Sequence, residues 1–118
     1  MSPELGRKLK IMTRATNQKP LISIIMPVYN AANFLSQAID SILNQTYSHF
    51  EFIIIDDDSK DNSWKIIKQY AKKDNRIRAF KNQINLGVSL TSNIATSKTK
   101  GKFLVRMDAD DISFSDRI

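Results

Sequence analysis

The sequence predicts an α/β fold, a Rossmann-like three-layer α/β/α arrangement around a mainly parallel sheet. Three observations predict it. Four short apolar runs alternate with three segments of helical periodicity in the order β-α-β-α-β-α-β. The links between them are short enough for βαβ units, whose right-handed crossovers put helices on both faces of a sheet. Three of the runs end in acidic or polar loops, and strand polarity brings those loops to one edge, where open α/β sheets bind their ligands.

The first run, Leu21-Ile22-Ser23-Ile24-Ile25-Met26, reads as a central strand covered on both faces, ended by Pro27 because proline cannot donate to a ladder. After Pro27-Val28-Tyr29-Asn30, the residues Phe34, Leu35, Ala38, Ile39, Ile42 and Leu43 recur at helical spacing. Asn30 or Asn33 is available to cap that helix, which ends near Asn44 or Gln45. His49, the lone histidine, reads as a loop residue before the second strand, Phe50–Ile55, which runs into Asp56-Asp57-Asp58-Ser59.

Asp61, Asn62 or Ser63 starts a second helix, with Trp64, Ile67, Tyr70 and Ala71 on its core face, and Asp74-Asn75 ends it. Arg76–Phe80 alternates as a strand nearer the sheet edge. Asn85 and Gly87 supply turn chemistry before a weakly amphipathic third helix, Val88–Ser97, marked by Val88, Leu90, Ile94 and Ala95. Lys98, Lys100 and Lys102 read as a solvated turn, and Gly101 leads into the last strand, Phe103–Met107. That short apolar run reads as a buried strand, and it breaks into Asp108, Asp110 and Asp111.

At 118 residues, with 42% hydrophobic and 25% charged content, the chain has the size and composition of one soluble domain. The absence of cysteine excludes disulfides and thiolate metal sites. The formal charge of +6 is concentrated: residues 1–20 carry five basic side chains against one acidic, residues 21–118 thirteen against eleven. The body has no basic stripe with interleaved aromatics, so no nucleic-acid partner is expected. Residues 1–20 read as a basic flexible tail, in which Leu5, Leu9 and Met12 at helical spacing allow a peripheral contact with an anionic membrane. The tail has no apolar stretch of signal-peptide length.

The chemistry-bearing residues cluster in the three loops. An Asp-Ala-Asp at a strand end suits a hard divalent ion, Mn2+ or Mg2+, which takes oxygen ligands and shares them with phosphate. Tyr29 offers a ring on which a base can stack. An ionised Asp57 is acceptor-only and so can read an imide N–H such as that of uracil. A solvated acidic loop is the bland alternative for the Asp cluster, and loop anchoring for Asp56 and Asp58. Arg106, alternating with apolar strand residues, lies between a site role near the carboxylates and a structural one.

These residues resemble glycosyltransferase family 2, of the GT-A fold. The resemblance covers residues 21–118 and is carried by Pro27-Val28-Tyr29-Asn30-Ala31-Ala32, Asn44-Gln45-Thr46-Tyr47, Ile55-Asp56-Asp57-Asp58-Ser59-Lys60-Asp61-Asn62-Ser63 and Met107-Asp108-Ala109-Asp110-Asp111, in the family's order and spacing. It implies that Tyr29 lies against the base and that Asp57 binds the uracil ring, with Pro27 and Asp56 lining that pocket. It further implies a D-x-D motif in which Asp110 is the closer metal contact and Asp108 lies nearer the donor's ribose and sugar. Asn85-Leu86-Gly87 matches a loop near the donor.

The implied activity is transfer of sugar from a nucleotide-sugar, a UDP-sugar foremost, to a saccharide or lipid-linked acceptor hydroxyl, with inversion, in polysaccharide or glycoconjugate synthesis. The implied location is the cytoplasm, at or near the inner face of the membrane. A non-catalytic nucleotide- and metal-binding module is the alternative. A phospho-acceptor receiver domain expects an acidic pair after the first strand, and a nucleotidyltransferase a glycine-rich loop there; neither is present. Two departures stand out: Asp58 where the family usually has Gly or Asn, and Thr91-Ser92-Asn93 in place of the common Ala-Arg-Asn. Because the general base and acceptor site of the family lie beyond the metal motif, they are expected past Ile118, and the 118-residue chain alone is expected to be inactive.

Overall fold

The computed structural model describes residues 19–110. Residues 1–18 of the basic tail, with Leu5, Leu9 and Met12, and the segment from Asp111 to Ile118 lie outside the described residues. The elements are β1 (Ile22–Val28), α1 (Ala32–Leu43), β2 (Phe50–Asp56), α2 (Ser63–Lys73), β3 (Ile77–Lys81), α3 (Val88–Ser97) and β4 (Phe103–Arg106). All three strand pairings are parallel, in the order β3-β2-β1-β4. The expected α/β alternation is the one observed.

Even-numbered residues of β1 and β2, among them Ile22, Ile24, Met26, Phe52 and Ile54, pack against Leu35, Ala38, Ile39 and Ile42 of α1 and Ile67 of α2. Odd-numbered Ile25, Ile53 and Ile55 meet Ala95 of α3 on the other face, in a smaller cluster. Burying each of the Ile, Leu, Met and Phe side chains among them contributes about 1.5–3 kcal/mol, so the two central strands anchor the domain. The chain winds outward from β1 to β3 with α1 and α2 on one face, then returns past β1 to β4 with α3 on the other. That reversal is what crossovers of constant hand require. It makes the gap between β1 and β4 the topological switch point of the sheet.

Several local expectations change. Pro27 does not end the first strand; it lies inside β1, paired with Ile55. The carbonyl of Ile25 accepts from Met107 N–H, whereas Ile22 N–H donates to His49 and the carbonyl of Val28 accepts from Asp57 N–H. Odd positions of β1 therefore face β4 and even positions face β2. The ladder to β4 ends at the Ile25–Arg106 pair, so the N–H that proline lacks would have pointed past the end of that ladder.

The last run is an edge strand rather than a buried one among the described residues, with Leu104 49% exposed. Val88 and Leu90 are also exposed, and α3 buries Thr91 and Ala95 instead. Neither Asn30 nor Asn33 caps α1; Ala31 holds the cap position without a side-chain bond of its own. The N–H groups of Ala31 and Ala32 donate to Ser63 Oγ (3.0 Å) and Asp61 Oδ2 (3.1 Å), so the loop after β2 caps the helix after β1. No helix among the described residues is long and apolar enough to cross a membrane.

Candidate functional site at the switch point

The loops after β1 and β2 are stitched together before they present any side chain. Asn30 sits at φ 49, a left-handed conformation that asparagine tolerates. Its N–H donates to Ser59 Oγ (2.9 Å), and its Oδ1 accepts from Lys60 N–H (2.7 Å). Asp61 Oδ1 accepts from both Ser63 N–H (2.9 Å) and Ser63 Oγ (2.6 Å). Burial raises the pKa of Asp61, but those donors and Ala32 N–H outweigh it and hold the carboxyl below its ordinary value. Asp58 also lies at φ 60, which explains why Gly or Asn suits this position. Its carboxylate pairs with Lys60 Nζ at 3.1 Å.

A cleft of about 280 Å³ opens at the carboxyl ends of β1 and β4. One wall is Pro27, Tyr29, Asn30 and Ala31, with Phe34 from the first turn of α1; the other is Asp108, Ala109 and Asp110. Pro27, Tyr29, Asp108 and Asp110 of the sequence-derived set thus share one cavity, in the crevice where open α/β sheets take ligands. Tyr29 is 49% exposed and Phe34 53%. Two aromatic rings thus stand half in solvent beside the carboxylates of the cleft.

Asp108 and Asp110 both face solvent. Arg106 Nη2 donates to Asp108 Oδ1 at 3.2 Å, and both side chains of that pair are about half exposed. No group of three acidic, His or Cys side chains among the described residues gathers to enclose a metal. Two hard carboxylates at the mouth of a cleft still fit Mg2+ or Mn2+, which commonly take one or two protein carboxylates and complete their shell with phosphate oxygens and water.

Asp56 and Asp57 lie outside the lining of this cleft. Asp56 is fully buried; its Oδ2 accepts from Ser59 N–H (3.0 Å), while Oδ1 has no hydrogen-bond partner. Asp57 is only 3% exposed. Its Oδ1 accepts from Leu86 N–H (2.8 Å) and Asn82 Nδ2 (2.9 Å), its Oδ2 from Gly87 N–H (2.9 Å) and Asn85 Nδ2 (3.1 Å). Burial pushes the Asp57 carboxyl up, but the donors Leu86, Asn82 and Gly87 prevail and hold it below its ordinary value. The structure therefore divides the sequence-derived residues in two: a pair of carboxylates open to a ligand, and a pair enclosed in the protein.

Asn44-Gln45-Thr46-Tyr47 has a framework position. Gln45 Nε2 donates to Ser41 O (2.9 Å) and the Tyr47 hydroxyl to the carbonyl of Pro20, at the end of the sheet opposite the cleft.

The glycosyl transferase family 2 model matches residues 23–118. The chain belongs to glycosyltransferase family 2. It is 44% identical over 99 residues to an uncharacterized glycosyltransferase of Haemophilus influenzae, covering 84% of this chain and 40% of that protein. It is 38% identical over 96 residues to TuaG of Bacillus subtilis, a candidate teichuronic acid biosynthesis glycosyltransferase, covering 81% and 38%. Among solved structures, S. aureus TarS 1–349 in complex with UDP-GlcNAc superposes with a TM-score of 0.72 at 26% identity, over 77% of this chain and 27% of that one. The chain thus spans about two fifths of the length of these curated relatives. Its α/β fold is that of the GT-A glycosyltransferases.

Three wall residues of this cleft are not among those the sequence points to as site residues: Asn30, Ala31 and Phe34. Phe34 shares the helical spacing of the buried stripe of α1, but it opens that stripe and so falls on the first turn, over the strand ends. Asn30 and Ala31 carried a weaker signal, their place directly after Tyr29. Asn82, which completes the surroundings of Asp57, carries no signal in sequence, and Thr91 stands out there only as part of the departure from Ala-Arg-Asn.

Proposed function

We propose that this chain forms the nucleotide-sugar-binding part of a glycosyltransferase that moves a sugar from a UDP-sugar to an acceptor hydroxyl, with inversion, in polysaccharide or glycoconjugate synthesis. The observation that carries this reading is the cleft at the switch point, with Tyr29 on one wall and Asp108 and Asp110 on the other. Family membership supports sugar transfer, the TarS complex with UDP-GlcNAc supports a uridine donor, and the likeness to TuaG supports a polysaccharide product.

In this reading the Tyr29 ring stacks on the base, a contact worth about 1–3 kcal/mol in other base–aromatic pairs. Pro27 forms the floor beside it, Asp56 fixes the strand end, and the Asp57 carboxylate accepts from the uracil ring N–H. Asp108 turns toward the ribose and sugar. Asp110, with Asp108, would hold Mn2+ or Mg2+; bound there, the ion supplies Lewis-acid stabilisation of the departing diphosphate. The acceptor hydroxyl attacks the anomeric carbon from the face opposite the diphosphate, a bond forms to the acceptor oxygen, and the bond to the diphosphate oxygen breaks. The acceptor's proton leaves to a base that we assign to none of residues 19–110.

Titration calorimetry with UDP, with and without Mn2+, tests the reading. Metal-dependent binding of UDP in preference to ADP is expected. An absence of UDP binding under both conditions would overturn it.

A further inference from the structure

Asp57 is acceptor-only when ionised, and its two oxygens offer about four lone-pair sites. All four are taken by donors of the segment 82–87, and the Thr91 hydroxyl adds a further hydrogen bond to the carboxylate. With the residue 3% exposed, no ligand N–H reaches this carboxylate by addition. It reaches it only by exchange, and the four donors differ in how readily each can leave.

Leu86 and Gly87 donate main-chain N–H groups at 2.8 and 2.9 Å, and losing either means moving the loop. Asn82 uses both amide hydrogens, one on Asp57 and one on Thr91 Oγ1 at 3.0 Å, and its own N–H is held by the carbonyl of Asp56. Asn85 is different. It is exposed, it makes the longest of the four bonds, and both its amide contacts (3.1 Å to Oδ2, 3.0 Å to the main-chain carbonyl) are to Asp57 alone. Turned outward, its amide finds water, and the only bonds given up are its own two to Asp57, on Oδ2 and on the main-chain carbonyl.

We propose that the Asn85 side-chain amide is a displaceable stand-in for the ring N–H of a nucleobase at Asp57, and so a specificity-determining residue of the site. The inference rests on the uridine reading above. A base with a ring N–H, such as uracil, replaces Asn85 on Oδ2 like for like. Cytosine presents a bare ring nitrogen at the same position, an acceptor facing an acceptor, and leaves Asn85 in place. Selection between pyrimidines then arises from an exchange of one donor for another, which keeps the carboxylate satisfied in both states.

The test compares UDP and CDP binding to the wild-type chain and to Asn85→Ala by calorimetry, with thermal melts of both proteins. Removing the competitor should tighten UDP by about 2- to 10-fold, the factor that one net hydrogen bond represents, and leave CDP unchanged. Equal or weaker UDP binding by a folded variant overturns the stand-in, and equal tightening of UDP and CDP overturns the specificity role. UDP binding to neither protein removes the uridine reading and the inference together. Should the variant unfold, the wild-type chain still decides: UDP, and not CDP, must shift the 15N-resolved Asn85 side-chain amide signals to solvent-exposed values. Signals that stay put while UDP binds overturn the proposal.

Discussion

The main-chain N–H of Gly101 donates to Ser23 Oγ at 2.7 Å, joining positions 78 residues apart in the chain. Ser23 Oγ in turn donates to Glu51 Oε2 at 2.6 Å, and Glu51 accepts from Lys100 N–H and from Arg78 Nη1. This network ties the turn before β4 to β1, β2 and β3 at the end of the sheet away from the cleft. A Cβ on Gly101 would lie 2.5 Å from Ser23 Oγ, 2.7 Å from Ser23 N and 2.8 Å from Leu21 O. Two of those three atoms are backbone, so Gly101→Ala should destabilise the domain by about 1–3 kcal/mol, the usual cost of overpacking. Urea unfolding measures it; an unchanged midpoint would mean that the turn moves away freely.

Glu51 gives the same network a pH dependence. Burial raises its pKa, but Ser23, Lys100 N–H and Arg78 outweigh burial and hold it below its ordinary value. A folded-state value below the unfolded one contributes stability that is present above the ordinary carboxylate range and is lost as pH falls through the folded value. Stability should therefore decline from about pH 5 downward, and Glu51→Gln should flatten part of that decline while lowering stability at pH 7. Thermal melts of both proteins from pH 7 to acid check this.

Replacing Asp57 by Asn sets an amide N–H against donors that already point at it. The change should cost about 1–3 kcal/mol, the range for a buried group left unsatisfied, and free the Leu86 and Gly87 amides to exchange. Hydrogen exchange at those two positions separates this from a general loss of stability. In the proposed uridine site the same variant should also bind UDP more weakly.

Gly87 lies at φ 91, ψ 161, a conformation open essentially to glycine, and a Cβ there would touch nothing within 4 Å. Gly87→Ala should therefore cost backbone strain alone, about 1–3 kcal/mol. A larger loss in the melt would point to a contact beyond the strain.

Asp108→Asn and Asp110→Asn should each leave stability within about 0.5 kcal/mol, as surface changes do, because both side chains face solvent. Both should remove the Mn2+ dependence of UDP binding, with Asp110 the more damaging. UDP titrations with and without Mn2+, run beside thermal melts, test the two effects separately. Unfolding of either variant would make the Asp cluster structural.

Read alone, the sequence determined the strands and helices to within a residue or two, their parallel order and the family motifs. Each of these is written in local sequence: Leu21 to Met26 is a continuous apolar run, Leu35, Ala38, Ile39 and Ile42 recur at helical spacing, and the links between such segments are short, wherever the rest of the chain goes. Tertiary structure decided the rest, because occupancy of a hydrogen-bonding group depends on residues distant in the chain. Pro27 stays in β1 because β4 leaves the ladder beside it, and α1 is capped by Asp61 and Ser63. Phe34 stands free because no described element covers the first turn of α1. Above all, Asp57 and Asp110 look alike in sequence, each an aspartate after a strand. The lone pairs of Asp57 are filled by the 82–87 segment, whereas the Asp110 carboxylate opens into the cleft.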